Sequence, residues 1–372
     1  MSLSAGMRGA LDRCLAGGLT FACYRRPGAP TTLWAQRTPS LDHVDGTELF
    51  ELNDVFLVAP FHLDPLRIPF VRSDVELVDS DLGPATEALE GCEGAADADL
   101  CPQPQTTQEA FIAGVEAIRT AIGTGTLRKA VLSRVVNVPF DAERLPELFA
   151  HALDAHPDAF VALVRTPEHG TWLGATPERL LVAQDDHVRV DALAGTRANS
   201  QAGLPWGDKE RDEQEVVTAA VLGTFVALGL KEVRAGAPET INAGPVQHLR
   251  TTVEGELHGV PLGDVALAIH PTPAVCGAPR DVARAVIGRV EAHDRRLYTG
   301  FWGPWSADGH TALFVNLRCL QLFNDQASLL VGAGITAGSD AHAEWEETTQ
   351  KASTWSRPIG ALGRGPVISP PR

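Results

Sequence analysis

Two pairs of glutamates stand at a spacing that chemistry can use. Glu210 and Glu213 lie three residues apart, as do Glu344 and Glu347, each pair near the start of a stretch that reads as a helix. Residues at i and i+3 share one helix face, so both carboxylates of a pair project the same way. Carboxylate oxygens are the donors Mg²⁺ prefers, usually one or two direct ligands with waters and substrate oxygens completing the shell. An acidic first turn also suits the helix dipole on an ordinary solvated face, and spacing does not choose between the two.

Lys129 opens the apolar run Lys129-Ala-Val-Leu-Ser-Arg134. Desolvation disfavours an ammonium, so a lysine held in such a strand can be shifted toward work as a general base; an edge-strand lysine reaching water by its stem fits the same pattern. Glu178, in Gly174-Ala-Thr-Pro-Glu178, follows a strand and a turn proline, and reads either as an acid–base group or as a plain turn glutamate. Arg318, interior to an apparent strand over 311–320, has the fork to grip a carboxylate bidentately. Gly332-Ala-Gly334-Ile-Thr-Ala-Gly338 follows an apolar strand and precedes a helix, as a dinucleotide-binding turn would. No acid-ended second strand follows it, so close approach of backbone amides to a carboxylate is the more economical reading. His248, His270 and Lys351 taken singly read as structural.

These residues need elements to position them. Phe111, Val115, Ile118 and Ile122 recur at helical spacing, with Thr107 as N-cap and Gly123 and Gly125 as stop signals. A strand is expected over 127–138, with Lys129, Val131, Ser133 and Val135 on one face and Ala130, Leu132, Arg134 and Val136 on the other. Further strands are expected over 159–165, 171–175, 179–183, 187–193, 311–320 and 328–331. Helices are expected over 209–228 and 281–294 and from about Ser339. Residues 90–107, rich in Gly, Ala, Asp, Gln and Pro, read as a long loop or linker. Strand runs broken by a few long helices predict an α+β fold of large packed antiparallel sheets flanked by helices, and not a βαβ alternation.

Composition narrows the class. The 372 residues can bury a large core, and 44% hydrophobic with 21% charged residues is ordinary for a soluble globular chain. A formal charge of −16 argues against nucleic acid or an anionic membrane as partner. An anionic substrate would need its cations gathered locally. The six cysteines show no Cys-x-x-Cys or zinc spacing, no signal-peptide pattern opens the chain, and the most apolar stretch, 218–230, is too short to span a bilayer. The expectation is a cytoplasmic protein.

Taken in order, nine segments resemble the chorismate-utilising enzymes. They are Arg128-Lys-Ala-Val-Leu-Ser-Arg134, Gly174-Ala-Thr-Pro-Glu-Arg-Leu-Leu181, Ala192-Leu-Ala-Gly-Thr-Arg197, Asp208-Lys-Glu-Arg-Asp-Glu-Gln-Glu215, Gln247-His-Leu-Arg-Thr-Thr252, His270-Pro-Thr-Pro-Ala-Val-Cys-Gly277, Asn316-Leu-Arg318, Gly332-Ala-Gly-Ile335 and Glu344-Trp-Glu-Glu-Thr-Thr-Gln-Lys351. The resemblance is firm over about 107–358 and faint before it, and it implies one catalytic domain over 1–372. It implies Lys129 as general base for the water that attacks C2 and Glu178 as general acid for the departing C4 hydroxyl. It implies Glu210, Glu213, Glu344 and Glu347 as Mg²⁺ ligands. Arg318 and the amides of Gly332 and Gly334 would bind the substrate's carboxylates, and Gly195, Thr196, His248 and Lys351 would complete the pocket.

Within the family, the ammonia-using members carry glutamine where this chain has Lys129, and the aminodeoxychorismate branch carries a lysine where it has Ala194. Both aminating readings are therefore disfavoured, and no amidotransferase subunit is implied. Members that eliminate pyruvate pair a threonine with a tyrosine at the positions of Ala274 and Tyr298. Ala274 thus points to stopping at isochorismate, while Tyr298 points toward salicylate synthesis, and the segment Gly300-Phe-Trp-Gly-Pro-Trp305 departs from the family's usual glycine-valine-glycine-tryptophan pattern. Isochorismate synthesis is the expected activity, salicylate synthesis the alternative, and a non-catalytic chorismate-binding relative a third reading that the filled acid, base and metal positions oppose. Siderophore, menaquinone and salicylate routes are all compatible with the product.

Overall fold

The computed structural model describes residues 3–79, 85–198, 202–243, 246–307 and 310–363, and its strands divide between two sheets. The first runs, in spatial order, through Gly277–Ala278, Lys129–Pro139, Gln326–Ile335, Cys319–Leu322, Gly170–Thr176, Phe160–Thr166, Phe21–Arg25, Thr32–Ala35 and Val75–Val78. The second runs through Lys231–Ala235, Val246–Glu256, His187–Ala198, Arg179–Gln184, Thr311–Val315, Phe301–Trp305, Val55–Ala59, Ile68–Arg72 and Asp42–Val44, with Glu239–Ala243 also paired to Val246–Glu256. Neighbouring strands pair antiparallel throughout.

The sheets face each other across a shared apolar layer. Tyr24, Trp34, Phe160 and Trp172 enter it from the first sheet, and Phe56, Val58, Trp302 and Phe314 from the second. Phe160 and Phe314 stack with centroids 4.0 Å apart. Strands buried on both faces read as continuous apolar runs, and that is how Val55–Ala59 and residues 160–164 of Phe160–Thr166 read. Helices cover the outer faces. Ala5–Ala16, Leu145–Ala155 and Ala341–Ala361 bury Leu11, Phe149 and Trp355 against the first sheet. Asp208–Leu228 and Leu262–Ile269 bury Phe225 and Val265 against the second, while Gln108–Gly123 and Arg280–Val290 flank strand Lys129–Pro139. This is the expected architecture of two large antiparallel sheets flanked by helices. The residues before 107, where the family resemblance is faint, supply three strands to each sheet. Among the described residues, no helix is long and apolar enough to cross a membrane.

Two of the places where the chain passes from one sheet to the other adjoin. Gly170–Thr176 lies in the first sheet and Arg179–Gln184 in the second, so Pro177-Glu178 is a crossover. Thr311–Val315 lies in the second and Cys319–Leu322 in the first, so Asn316-Leu317-Arg318 crosses back beside it. Backbone hydrogen bonds tie the crossings together: Val315 N donates to Glu178 O at 3.0 Å, and Ala175 N to Arg318 O at 3.0 Å. The expectation of one strand over 311–320 with Arg318 inside it is therefore corrected. Arg318 stands between two strands with φ of 46°, and buried Asn316 holds the corner by donating its Nδ2 to Leu297 O at 2.9 Å. Two further boundaries differ. Gly332 and Gly334 lie within strand Gln326–Ile335, not in a loop after it. The helix expected over 281–294 ends at Val290, because Glu291 turns inward to Arg295 and Ser133.

Candidate active site

The two crossovers open onto one cavity, built from five directions. Lys129 and Val131 come from strand Lys129–Pro139, Glu178 and Arg318 from the crossovers, and Gly195 and His248 from paired strands of the second sheet. Glu210 and Glu213 come from the first two turns of Asp208–Leu228, and Glu344, Glu347 and Lys351 from one face of Ala341–Ala361. Gly332, Gly334, Ala274 and Tyr298 complete the expected set. Thr196 is the exception: its backbone pairs with His248, but its side chain lies outside the described residues. His270 is not part of the lining; its Nε2 lies 3.2 Å from Pro60 O, and burial lowers its pKa to about 3, so it is a neutral core imidazole.

Local structure explains each placement. In Asp208–Leu228, Val217, Val221 and Phe225 are buried at i, i+4 and i+8, which turns Glu210 and Glu213 at its N-terminal end toward the strands. Gln214 pins that turn by donating Nε2 to Ala192 O at 2.8 Å and Thr251 Oγ1 at 2.9 Å. In Ala341–Ala361, Asp340 caps the helix through Ala343 N, and the inward face carries Glu344, Thr348, Ala352, Trp355 and Ile359. A glutamate only 4% exposed on that stripe does not fit the solvated-face reading.

Three glycines make the room. Gly195 has φ of +65° at a register shift between Ala194 and Thr196, the geometry of a bulge that glycine adopts without strain. A Cβ there would lie 3.1 Å from Glu210 Cβ. At Gly332 a Cβ would lie 2.9 Å from the Tyr298 hydroxyl, and at Gly334 2.7 Å from Glu213 Oε1 and 3.0 Å from Lys129 Cε.

Charge is dense and paired. Lys129, 2% exposed and so not an edge lysine reaching water, holds its Nζ 2.6 Å from Glu213 Oε1. Lys351 Nζ lies 2.6 Å from Glu347 Oε1 and donates to Gly332 O at 2.8 Å. Arg318 Nη1 donates to Thr354 Oγ1 at 3.2 Å. His248 Nδ1 lies 3.2 Å from Gly195 O, and burial, then Arg318 and Lys351, lower its pKa to about 4, leaving the ring neutral. Glu178 moves the other way. Burial raises its carboxyl to about 8 against the pull of Lys129 and Lys351, with Asp191 adding to the rise. A carboxyl in that range is protonated at neutral pH and can donate.

The four expected metal ligands share the cavity but are not drawn together. Among the described residues no group of three His, Cys, Asp or Glu is gathered to hold a metal ion. Like-charged carboxylates repel, and Glu213 and Glu347 take lysine partners here. The donor chemistry is nonetheless that of a hard-cation site, four carboxylates near the N-terminal ends of two helices that border one space. Sequence reasoning missed the apolar wall of Leu193, Val275, Leu317 and Leu330, together with Thr299. Val131 was visible in the strand alternation, since it shares a face with Lys129.

Two antiparallel sheets thus enclose a cavity of buried cations and carboxylates beside two places where the chain crosses between them. The chain belongs to the chorismate binding enzyme family, whose match spans residues 76–357. It is 34% identical over 276 residues to the isochorismate synthase DhbC of Bacillus subtilis (strain 168), an alignment covering 69% of each chain. Its fold is similar to that of MenF, the menaquinone-specific isochorismate synthase of Escherichia coli, with a TM-score of 0.76 at 22% identity over 94% of this chain and 91% of that one. It is also similar to anthranilate synthase component I of Streptococcus pneumoniae TIGR4, with a TM-score of 0.67 at 20% identity over 90% and 91% of the two chains.

Proposed function

We propose that the whole chain, as one catalytic domain, is an isochorismate synthase that converts chorismate to isochorismate. The observation that carries this reading is the pairing, in one cavity, of a buried lysine with a glutamate held protonated at neutral pH. In this reading Lys129 accepts a proton from the water that bonds to C2, and Glu178 donates one to the C4 hydroxyl as its bond breaks, with the ring electrons shifting between. Each step of this kind is worth roughly 10²–10⁴-fold. Arg318 and the strand edge at Gly332 and Gly334 receive the two substrate carboxylates, and Lys351 adds positive charge beside them.

Magnesium is part of the proposal, held by Glu210, Glu213, Glu344 and Glu347. When bound it would supply Lewis acidity and offset the charge of the substrate carboxylate. The protein's own residues orient the ring, exclude water through Leu193, Val275 and Leu317, and hold the two reacting protons. The similarity to named isochorismate synthases and the lysine at 129 support hydroxylation over amination. A second reading, elimination of pyruvate to give salicylate, draws on Tyr298, whose buried phenol stands in the cavity wall. Ala274 opposes it, offering neither bulk nor a hydroxyl to hold the enolpyruvyl group folded over the ring.

Chromatography of purified protein incubated with chorismate and Mg²⁺ tests the reading. Isochorismate should accumulate with little salicylate or pyruvate, and EDTA should abolish turnover. Salicylate as the major early product would favour the second reading, and no consumption of chorismate would overturn both.

A further inference from the structure

Glu178 lies between two cavities. In front is the one described; behind is a second, of about 290 Å³, lined by Thr176, Arg179, Asp191, Ile241, Arg250 and Phe314 among others. Pro177, Glu178 and Leu193 line both, so they form the partition between them. Asp191 is fixed in the rear wall: Arg179 donates to its Oδ2 from Nε at 2.8 Å and from Nη2 at 2.7 Å, and Arg250 Nη1 stands 3.9 Å away. A space of that size with charged walls has room for several waters.

The proposed reaction leaves a proton imbalance inside the protein. Each turnover in that reading ends with Lys129 carrying the proton lost by water and Glu178 lacking the one given to the leaving hydroxyl. Before the next turnover Glu178 must regain a proton and Lys129 must lose one, with solvent water as the only donor and acceptor required. We propose that Glu178 recovers its proton through the rear cavity, and that Asp191 is the positioning residue that keeps this side of Glu178 from being cationic and so favours the protonated acid. This inference rests on the isochorismate synthase reading.

The charges around Glu178 agree with that role. Lys129 and Lys351 act on it from the front and favour its ionised form, while Asp191 acts from behind and favours the neutral one. Arg179 and Arg250, which would otherwise add to the cationic side, are neutralised by Asp191, and Arg250 also by Glu239 at 2.7 Å. Arg318 and the glutamates at 210, 213, 344 and 347 face the front cavity, and His248 there is neutral.

The test compares kcat and kcat/KM against pH in the full-length protein. Asp191→Asn should move the alkaline fall of kcat to lower pH by about one unit, and Asp191→Glu should restore it. Ile241→Trp, which fills the rear cavity away from the front one, should lower kcat several-fold while leaving kcat/KM unchanged, because reprotonation follows product release. An unmoved alkaline limb in Asp191→Asn, or an unchanged kcat in folded Ile241→Trp, would overturn the proposal. Thermal stability against pH for the parent, Glu178→Gln, Asp191→Asn and the double variant reads the Asp191–Glu178 coupling without substrate. Coupling intact in a protein that leaves chorismate untouched would sink the function and not the electrostatics.

Discussion

In the half of the sheets formed before residue 107, Tyr24, Trp34, Phe56 and Val71 fill the interior. The polar residues buried there, among those described, are Thr20, Thr31 and Gln36. In the other half the sheets bury Lys129, Arg134, Glu178, Arg295 and Glu344. Both halves use the same antiparallel pairing and both let the chain cross between sheets, at 36–41 and 73–74 in the first, but only crossovers of the second, at 177–178 and 316–318, border the cavity. Burying charge is costly unless it is compensated, so each such group here is paired, hydrogen-bonded or shifted in pKa. One half therefore supplies packing and the other gives up apolar burial to hold reactive groups in fixed places.

Single substitutions should separate the two halves. Lys129→Ala is expected to lower kcat by ~10²–10⁴-fold with the fold intact; steady-state kinetics with circular dichroism checks both. Phe56→Ala, in the packed half, should cost roughly 3–5 kcal/mol of stability with kcat per folded molecule unchanged, as read by denaturant unfolding and active-site titration. A large kinetic effect from Phe56→Ala, or a large stability loss from Lys129→Ala, would erase the distinction.

A smaller effect is expected at Gly334. Its added Cβ would stand 2.7 Å from Glu213 Oε1, so Gly334→Ala should displace the Lys129–Glu213 pair and lower kcat/KM by about tenfold. Stability should change little, because the strand continues through this position.

A separate effect is expected in stability against pH. Glu178 titrates at about 8 in the folded protein against an ordinary value of 4.5. Below about 4.5 both states are protonated and the group contributes nothing. Between those values the unfolded chain ionises first, so native stability falls as pH rises, and the loss is complete above about 8. The neutral isostere Glu178→Gln escapes this loss, so its Tm should match the parent near pH 4.5 and exceed it by several degrees above pH 8.

Much of this division was legible in sequence, for identifiable reasons. Spacing at i and i+3 put each glutamate pair on one helix face, and alternation placed Val131 beside Lys129. Roles for these residues came from the resemblance, not from spacing. Other features left no trace. The apolar run over 311–320 reads as one strand because both sheets are buried on both faces, so hydrophobicity does not mark the change of sheet at Asn316. Gly332 and Gly334 read as a break because glycine disfavours strands, yet here they make room for the Tyr298 hydroxyl and the Lys129–Glu213 pair. Asp191 and Arg179 gave no signal, since their importance lies in a partition that only tertiary structure creates.

The most direct measurement is the protonation state of Glu178 itself, read as the difference infrared spectrum between the parent and Glu178→Gln. A carboxylic acid carbonyl band should be present at pH 7, vanish in Glu178→Gln, and titrate away near pH 8. A carboxylate signal at pH 7, with titration near the ordinary 4.5, would contradict the assignment of Glu178 as the proton donor.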